Sequence, residues 1–356
     1  MLGYLGYNDI WKGDCGTAMS KPPTPIPVVL ITGFLGSGKT TVLNHLLRDR
    51  EMEETAVIIN EFGDVAMDHL LVESAIENTV VLQSGCICCT VRGDLVDTLV
   101  DLCAKVRRGQ LAPFSRIAIE TTGLADPASL VHSFLTEHAL AERFKLRAIV
   151  TTVDAANAQD QLGSFEEARN QVALADVILL TKADLVSSHL AETISGRLRA
   201  MNPGAAVVPV KHGAIAANTL FALAPEAPST VSDNALAWLN ANAFDAGHDH
   251  SHHDTDIEAF SVTASRPVGA DALRRWLRSI LSLRGKNLLR MKGLVALQGA
   301  EGPVVIHAVQ NILHPPVRLS AWPTDDHSTR IVFITRGIPR AALSKSLEVL
   351  IPEAAA

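Results

Sequence analysis

Three of the chain's five cysteines, Cys86, Cys88 and Cys89, fall within four positions of the stretch "VVLQSGCICCTVRGDL". Thiols this close are poorly spaced for a disulfide between neighbours. A Cys-x-Cys-Cys run on one loop can instead direct several thiolates at a single soft or borderline cation. Zn²⁺ takes four tetrahedral ligands, so three cysteines leave one position for another side chain, water or a transfer partner. A structural zinc site is normally closed by four protein ligands. An incompletely supplied one suits a metal that is meant to leave. Thiolates suit Zn²⁺, and Co²⁺ binds similar sites more weakly. The competing reading, small buried residues beside a glycine, requires neighbouring side chains that point different ways to pack together. A second cluster, "HDHSHHD", sets His248, His250, His252 and His253 among Asp249 and Asp254. Neutral imidazoles on a flexible run would bind a transition metal weakly and pass it on.

A different chemistry is written at residues 33–41, "GFLGSGKTT". It matches G-x-x-x-x-G-K-[ST] between an apolar strand-like run and a helical one, the context this motif requires. Gly33, Gly36 and Gly38 let backbone N–H groups turn inward as an anion nest, with Ser37 and Thr41 completing the phosphate-binding loop. Lys39 is placed to reach the β/γ-phosphates, and Thr40 offers its hydroxyl to Mg²⁺. Downstream, "VILLTKAD" places Thr181, Lys182 and Asp184 in an [NT]-K-x-D pattern. A carboxylate at Asp184 can accept from guanine N1–H and the exocyclic amine, a donor pair adenine lacks, which favours GTP over ATP. Between the two motifs, "RIAIETTGLADP" ends a strand at Glu120. The expected role of Glu120 is to hold Mg²⁺, and the N–H of Gly123 would sense the γ-phosphate. Lys39 and Glu120 are thus the catalytic candidates. "NEFGD" occupies the place of a switch segment, where Glu61 and Asp64 would meet the nucleotide's metal, the thiol-bound metal or only solvent. No residue stands out as the orienter of an attacking water, so turnover without a metal or client is expected to be slow.

The bulk composition agrees with these two chemistries. A chain of 356 residues that is 47% hydrophobic and 19% charged is core-forming and long enough for about two domains. A net charge of −7 disfavours nucleic acid and anionic membrane as partners. No apolar run approaches the roughly 20 residues that span a bilayer. The first residues lack the pattern of a secretory signal, and five cysteines are an odd number, so a reduced cytoplasmic protein is expected rather than a disulfide framework. Residues 1–25 read as a silent extension, with Met19 an alternative start. Cys103 falls on the apolar side of a helical pattern and reads as a small core residue.

These residues need a scaffold. From 26 to 223, strand-like runs ("PVVLITGF", "TAVIINEF", "RIAIET", "LRAIVTTVDA", "DVILLTKAD", "AAVVPV") alternate with helical ones. That pattern predicts an α/β fold with a doubly wound, mostly parallel sheet, whose ligands bind at the carboxyl ends of strands. Residues 224–256 read as a His/Asp-rich linker. From 257 to 350 the strands "IEAFSVTA", "LLRMKGLVAL", "GPVVIHAVQ", "PPVRLSAW" and "TRIVFITRG", with helices at "GADALRRWLRSIL" and "PRAALSKSLEVL", predict a smaller α+β domain.

In this order, "GFLGSGKTT", "NEFGD", "GCICCTVRGDL", "ETTGLADP" and "TKAD" resemble the CobW-like GTPases, a metallochaperone branch of the P-loop GTPases. The resemblance covers roughly residues 26–350, with "RGKNLLRMKGLVAL" and "TRIVFITRG" similar to that family's C-terminal domain. It implies GTP hydrolysis coupled to delivery of Zn²⁺, or of cobalt or iron, to a client protein. It also implies phosphate and Mg²⁺ contacts at Lys39 and Thr40, a Walker-B-like acid at Glu120, guanine reading at Asp184, and metal ligation by Cys86, Cys88 and Cys89. Two positions depart from the family pattern. Residue 64 is Asp64 where the family has Glu, one methylene shorter, and the guanine motif begins with Thr181 rather than Asn. Two other function classes fit parts of the sequence: a nucleotide-dependent small-molecule kinase with structural thiols, and a GTP-binding metal sensor without turnover.

Overall fold

The computed structural model describes residues 25–59, 80–83, 92–224, 227–228, 235–245 and 256–350. The chain divides into two compact units, one of Pro23–Arg199 with Ala205–Ala224, the other containing Ala200–Gly204 and Pro225–Ala356.

The first unit is built on seven strands: β1 (Ile26–Gly33), β2 (Thr55–Ile59), β3 (Val80–Gln83), β4 (Arg116–Glu120), β5 (Phe144–Asp154), β6 (Val177–Thr181) and β7 (Ala206–Pro209). They form one sheet in the order β3-β2-β4-β1-β5-β6-β7. Every pairing is parallel. Helices α1 (Lys39–Leu46), α2 (Arg92–Arg107), α3 (Pro127–Thr136), α4 (His138–Ala141), α5 (Ala158–Ser164), α6 (Glu166–Leu174), α7 (Ser188–Met201) and α8 (Ala217–Leu223) connect the strands. A parallel sheet covered on both faces needs continuous apolar strands. Accordingly "TAVII" and "VILLT" are buried at every residue. Val42, Leu43 and Leu46 seat α1 against Val29, Ile31, Val57 and Val150 of the sheet. On α2, Cys103 is half-buried rather than enclosed in the core.

Register decides what meets at the carboxyl edge. Glu120 lies beside Ile31 of β1 and Ile59 of β2. Gly33 lies beside Thr152, and Asp154 beside Thr181. The phosphate loop, the acid and the guanine motif are thereby brought to one edge, where open α/β sheets bind ligands.

In the second unit, β8 (Ile257–Ala264), β9 (Leu288–Val295), β10 (Val304–Val309), β11 (Ile312–Leu313), β12 (Val317–Arg318) and β13 (Thr329–Arg336) make an antiparallel sheet. Its path is β11-β10-β9-β13-β8, and β12 pairs with β10. Helices α11 (Ala270–Arg284) and α12 (Arg340–Glu348) bury Trp276, Leu277, Leu343 and Leu347 against Met291, Ile306 and Phe333. The Trp276 indole N–H donates to the Ser346 hydroxyl at 3.0 Å, tying the two helices together.

Two expectations change here. "PPVRLSAW" forms only the two-residue β12, and Pro315 and Pro316, with no N–H for a ladder, keep it from starting earlier. The stretch taken as linker contains α9 (Ala235–Leu239) and α10 (Ala241–Asp245), with Trp238, Leu239 and Phe244 buried. Trp238 covers a buried cation of the sheet: Lys292 Nζ sits 5.1 Å from its ring centroid and donates to its carbonyl at 3.3 Å.

Candidate functional site

The loop after β1 is shaped by its glycines. Gly33 has φ 144°, and a β-carbon there would fall 2.2 Å from the Thr152 hydroxyl oxygen. Gly38 has φ 88° and stands in the left-handed region as the N-cap of α1, without a side-chain cap. The first N–H groups of α1 therefore lack a capping side chain, which is the arrangement that receives phosphate. Gly36 has φ 70°, and a β-carbon there would meet nothing within 4 Å. Ser37 is fully buried and shares a 2.7 Å hydrogen bond with Thr152. The Lys39 ammonium donates to the carbonyls of Gly33 at 3.1 Å and Phe34 at 3.3 Å, so it is held above the loop. Thr41 is exposed in the first turn of α1.

Thr40 and Glu120 meet directly: the Thr40 hydroxyl donates to Glu120 Oε1 at 2.6 Å. Glu120 is 3% exposed, at the end of β4. A hydroxyl and a buried carboxylate converging beside an anion cradle form an all-oxygen donor set that fits Mg²⁺, a hard cation that binds few protein groups plus substrate phosphates. The segment after Glu120 is pinned to β1. The Thr121 N–H donates to the Ile31 carbonyl at 2.9 Å, and the Thr121 hydroxyl donates to that of Thr32 at 2.9 Å. Gly123 lies so close to the phosphate loop that a β-carbon would fall 2.7 Å from the Leu35 nitrogen.

The guanine motif is joined to the same loop. Thr181 is 3% exposed, and its hydroxyl donates to the Ser37 carbonyl at 2.7 Å, with the Val153 carbonyl a second acceptor at 3.1 Å. Lys182 adopts φ 54°, and Asp184 follows, exposed, in a short 3-10 turn. The Lys182 ammonium pairs with Asp154 Oδ2 at 2.7 Å. Asp154 also accepts from the Ala156 N–H and the Asn157 amide. Burial pushes the Asp154 carboxyl up, and Lys182, Asn157 and Ala156 together bring it below the usual carboxylate range.

Gly33, Gly36, Ser37, Gly38, Lys39, Thr40, Thr41, Glu120, Gly123, Thr181, Lys182 and Asp184 thus belong to one edge of one sheet and its loops. Glu61, Asp64, Cys86, Cys88, Cys89, His248, His250, His252 and His253 lie outside the described residues. Gln83, the last described residue before the cysteines, is in register with Ile59, and Ile59 with Glu120. Among the described residues, no group of three or more His, Cys, Asp and Glu is placed to hold a metal ion. No described helix is long and apolar enough to cross a membrane. Sequence reading missed Asp154 and Gln171, whose contacts reach across the fold. The only local signal for Asp154 was a strand ending in "VDAAN".

Residues 27–209 match the family model described as CobW/HypB/UreG, nucleotide-binding domain, and residues 257–351 match the cobalamin synthesis protein cobW C-terminal domain. The chain is 34% identical to the zinc chaperone YjiA of Escherichia coli, over 88% of this chain and 95% of that one. It is 28% identical to the zinc chaperone CobW of Pseudomonas aeruginosa, over 90% of each. The crystal structure of Zn(II)-bound YjiA GTPase from E. coli superposes with a TM-score of 0.73 at 29% identity, covering 92% of this chain and all of that one. Two consecutive domain matches, a near full-length relative and a shared fold carry one conclusion: the chain belongs to the CobW family.

Proposed function

We propose that this chain is a GTPase that couples GTP hydrolysis to delivery of a transition metal, Zn²⁺ in preference to Co²⁺, to a client protein. The observation that carries the nucleotide half is the convergence of phosphate loop, Thr40–Glu120 pair and Thr181-anchored guanine motif on one sheet edge. Backbone N–H groups of residues 33–41 and the Lys39 ammonium hold the phosphates. Thr40 and Glu120 would hold Mg²⁺, which would supply neutralisation of the phosphate charge. Asp184 reads the guanine edge, and the Lys182 stem flanks the base. Gly123 contacts the γ-phosphate end.

The metal half rests on the Cys-x-Cys-Cys of residues 86–89 and on relatives named as zinc chaperones. Cys86, Cys88 and Cys89 take the cargo ion, with Glu61 as a further donor. The run His248, His250, His252 and His253 collects metal for them. The two halves communicate through strand register, since the segments carrying Glu61 and the thiols follow β2 and β3, next in line to Glu120. Coupling of this kind is reciprocal. Competition with a chromophoric chelator should give Zn²⁺ affinities that differ at least fivefold between the GTPγS- and GDP-loaded protein. Zn²⁺ should shift the GTPγS affinity by the same factor. Identical Zn²⁺ affinity in both nucleotide states would refute the coupling.

A further inference from the structure

We propose that Gln171, on α6, is a positioning residue for the loop that senses the third phosphate. Its side chain is 1% exposed, and its amide nitrogen donates to two backbone carbonyls of that loop, Gly123 at 3.1 Å and Ala125 at 3.0 Å. The orientation is fixed chemically: turning the amide over would set its oxygen against two carbonyl oxygens. Its Oε1 is buried without a hydrogen-bond partner among the described residues. Leaving an acceptor unsatisfied is costly, and an apolar side chain of equal length would fill the space without that cost. Packing alone therefore does not account for a glutamine here. The two donated bonds do.

Those bonds act on a loop with little freedom elsewhere. Upstream it is tied to β1 by Thr121, and downstream Asp126 caps α3 by accepting from the Ala128 N–H at 2.9 Å. The middle, from Gly123 to Ala125, is held by the Gln171 side chain from α6. That middle presses on the phosphate loop at Leu35. The helix that carries Gln171 also reaches the phosphate loop, because Phe165, at its N-cap, packs on Phe34 with ring centroids 4.6 Å apart. One helix thus sets the spacing between the phosphate loop and the Gly123 backbone. On the GTPase reading, GDP would leave that backbone uncontacted, whereas GTP would place a phosphate against it. Gln171 accordingly contributes to discrimination between GTP and GDP and to turnover, with little effect on GDP affinity.

This inference rests on the GTPase reading, and the experiment separates the two. Affinities for GTPγS and GDP, and kcat and KM for GTP, are measured on full-length parent, Gln171→Met and Thr151→Val. The last is a control: the Thr151 hydroxyl donates to the Gln171 backbone carbonyl at 2.8 Å, so its loss loosens α6 without touching the amide. Gln171→Met should keep GDP affinity within about twofold and lose about tenfold in GTPγS-over-GDP preference and in kcat, the scale of one or two hydrogen bonds. Thr151→Val should leave the preference intact. An unchanged preference in Gln171→Met, or an equal change in Thr151→Val, overturns the proposal. A parent that binds neither nucleotide refutes the GTPase reading instead. On the unaltered parent, the Gln171 side-chain amide protons should exchange slowly and their ¹⁵N resonance should move when GTPγS replaces GDP. Solvent-rate exchange or an unmoved resonance overturns the proposal independently of any variant.

Discussion

Lys182 and Asp154 are one ion pair seen from two unequal sides. The Asp154 side chain is 2% exposed and that of Lys182 38%. Removing the cation by Lys182→Met strands a buried carboxylate with only the Ala156 N–H and Asn157 amide to solvate it. Breaking a fully buried pair costs about 3–5 kcal/mol; with Lys182 partly in water, about 2–3 kcal/mol is expected. Removing the anion by Asp154→Asn leaves an ammonium that swings into solvent, so about 1 kcal/mol is expected. At roughly 2–4 °C per kcal/mol for a domain of this size, thermal midpoints at pH 7 should fall by about 5–10 °C and about 3 °C. The Asp154→Asn/Lys182→Met double variant should recover most of the larger loss. Acid supplies a second check. A carboxyl whose folded pKa is depressed stabilises above its unfolded pKa, about 3.9, and loses that contribution as pH falls through the folded value. The gap between parent and Lys182→Met should therefore narrow as pH falls below about 4 and through the folded value of Asp154. Melting followed by circular dichroism tests this. An Asp154→Asn loss equal to or larger than that of Lys182→Met, or a gap independent of pH, would refute the reasoning.

Glu120→Gln keeps size but removes the charge facing Thr40. It should lower kcat for GTP about 100-fold or more while leaving GDP affinity in EDTA within a few fold, by single-turnover and equilibrium assays. Gly123→Ala drives a β-carbon to 2.7 Å from the Leu35 nitrogen and 2.8 Å from its α-carbon, so one of two backbones must move. Strain of about 1–3 kcal/mol predicts a roughly 5- to 150-fold loss in kcat/KM, with steady-state kinetics as the readout. His307, whose Nε2 is shut off from solvent, is held well below the usual imidazole range by burial first, then by His314, Arg290 and Lys292. The folded state then binds fewer protons than the unfolded one below about pH 6.5, so stability should fall with decreasing pH by up to about 1.4 kcal/mol per unit. His307→Phe should flatten that slope in denaturant titrations between pH 6.5 and 5.

Much of the nucleotide edge was legible because it is built locally. Gly33 to Thr41 encode a turn, a nest and a helix start in nine consecutive residues, and β2, β4 and β6 announce themselves as buried apolar runs. Elements set by distant partners were not legible. Trp238 and Phe244 sit in five-residue helices too short to show a period, within a stretch of polar and small residues. Their burial depends on strands far along the chain, β9 for the helix of Trp238 and β8 and β13 for that of Phe244. Gln171 reads locally as a polar helical position; its worth lies in carbonyls 46 and 48 residues away. Locally Thr181 only opens an [NT]-K-x-D pattern, while its hydroxyl spans 144 residues to the phosphate loop, a contact no spacing rule contains.

The most direct test of the account is GTP hydrolysis by the metal-free protein with and without one equivalent of Zn²⁺, beside a Cys86/Cys88/Cys89→Ser variant. Zn²⁺ should change the rate of the parent and leave the variant's rate where it was. Identical response of parent and variant to Zn²⁺, or none in either, would contradict coupling between thiols and nucleotide.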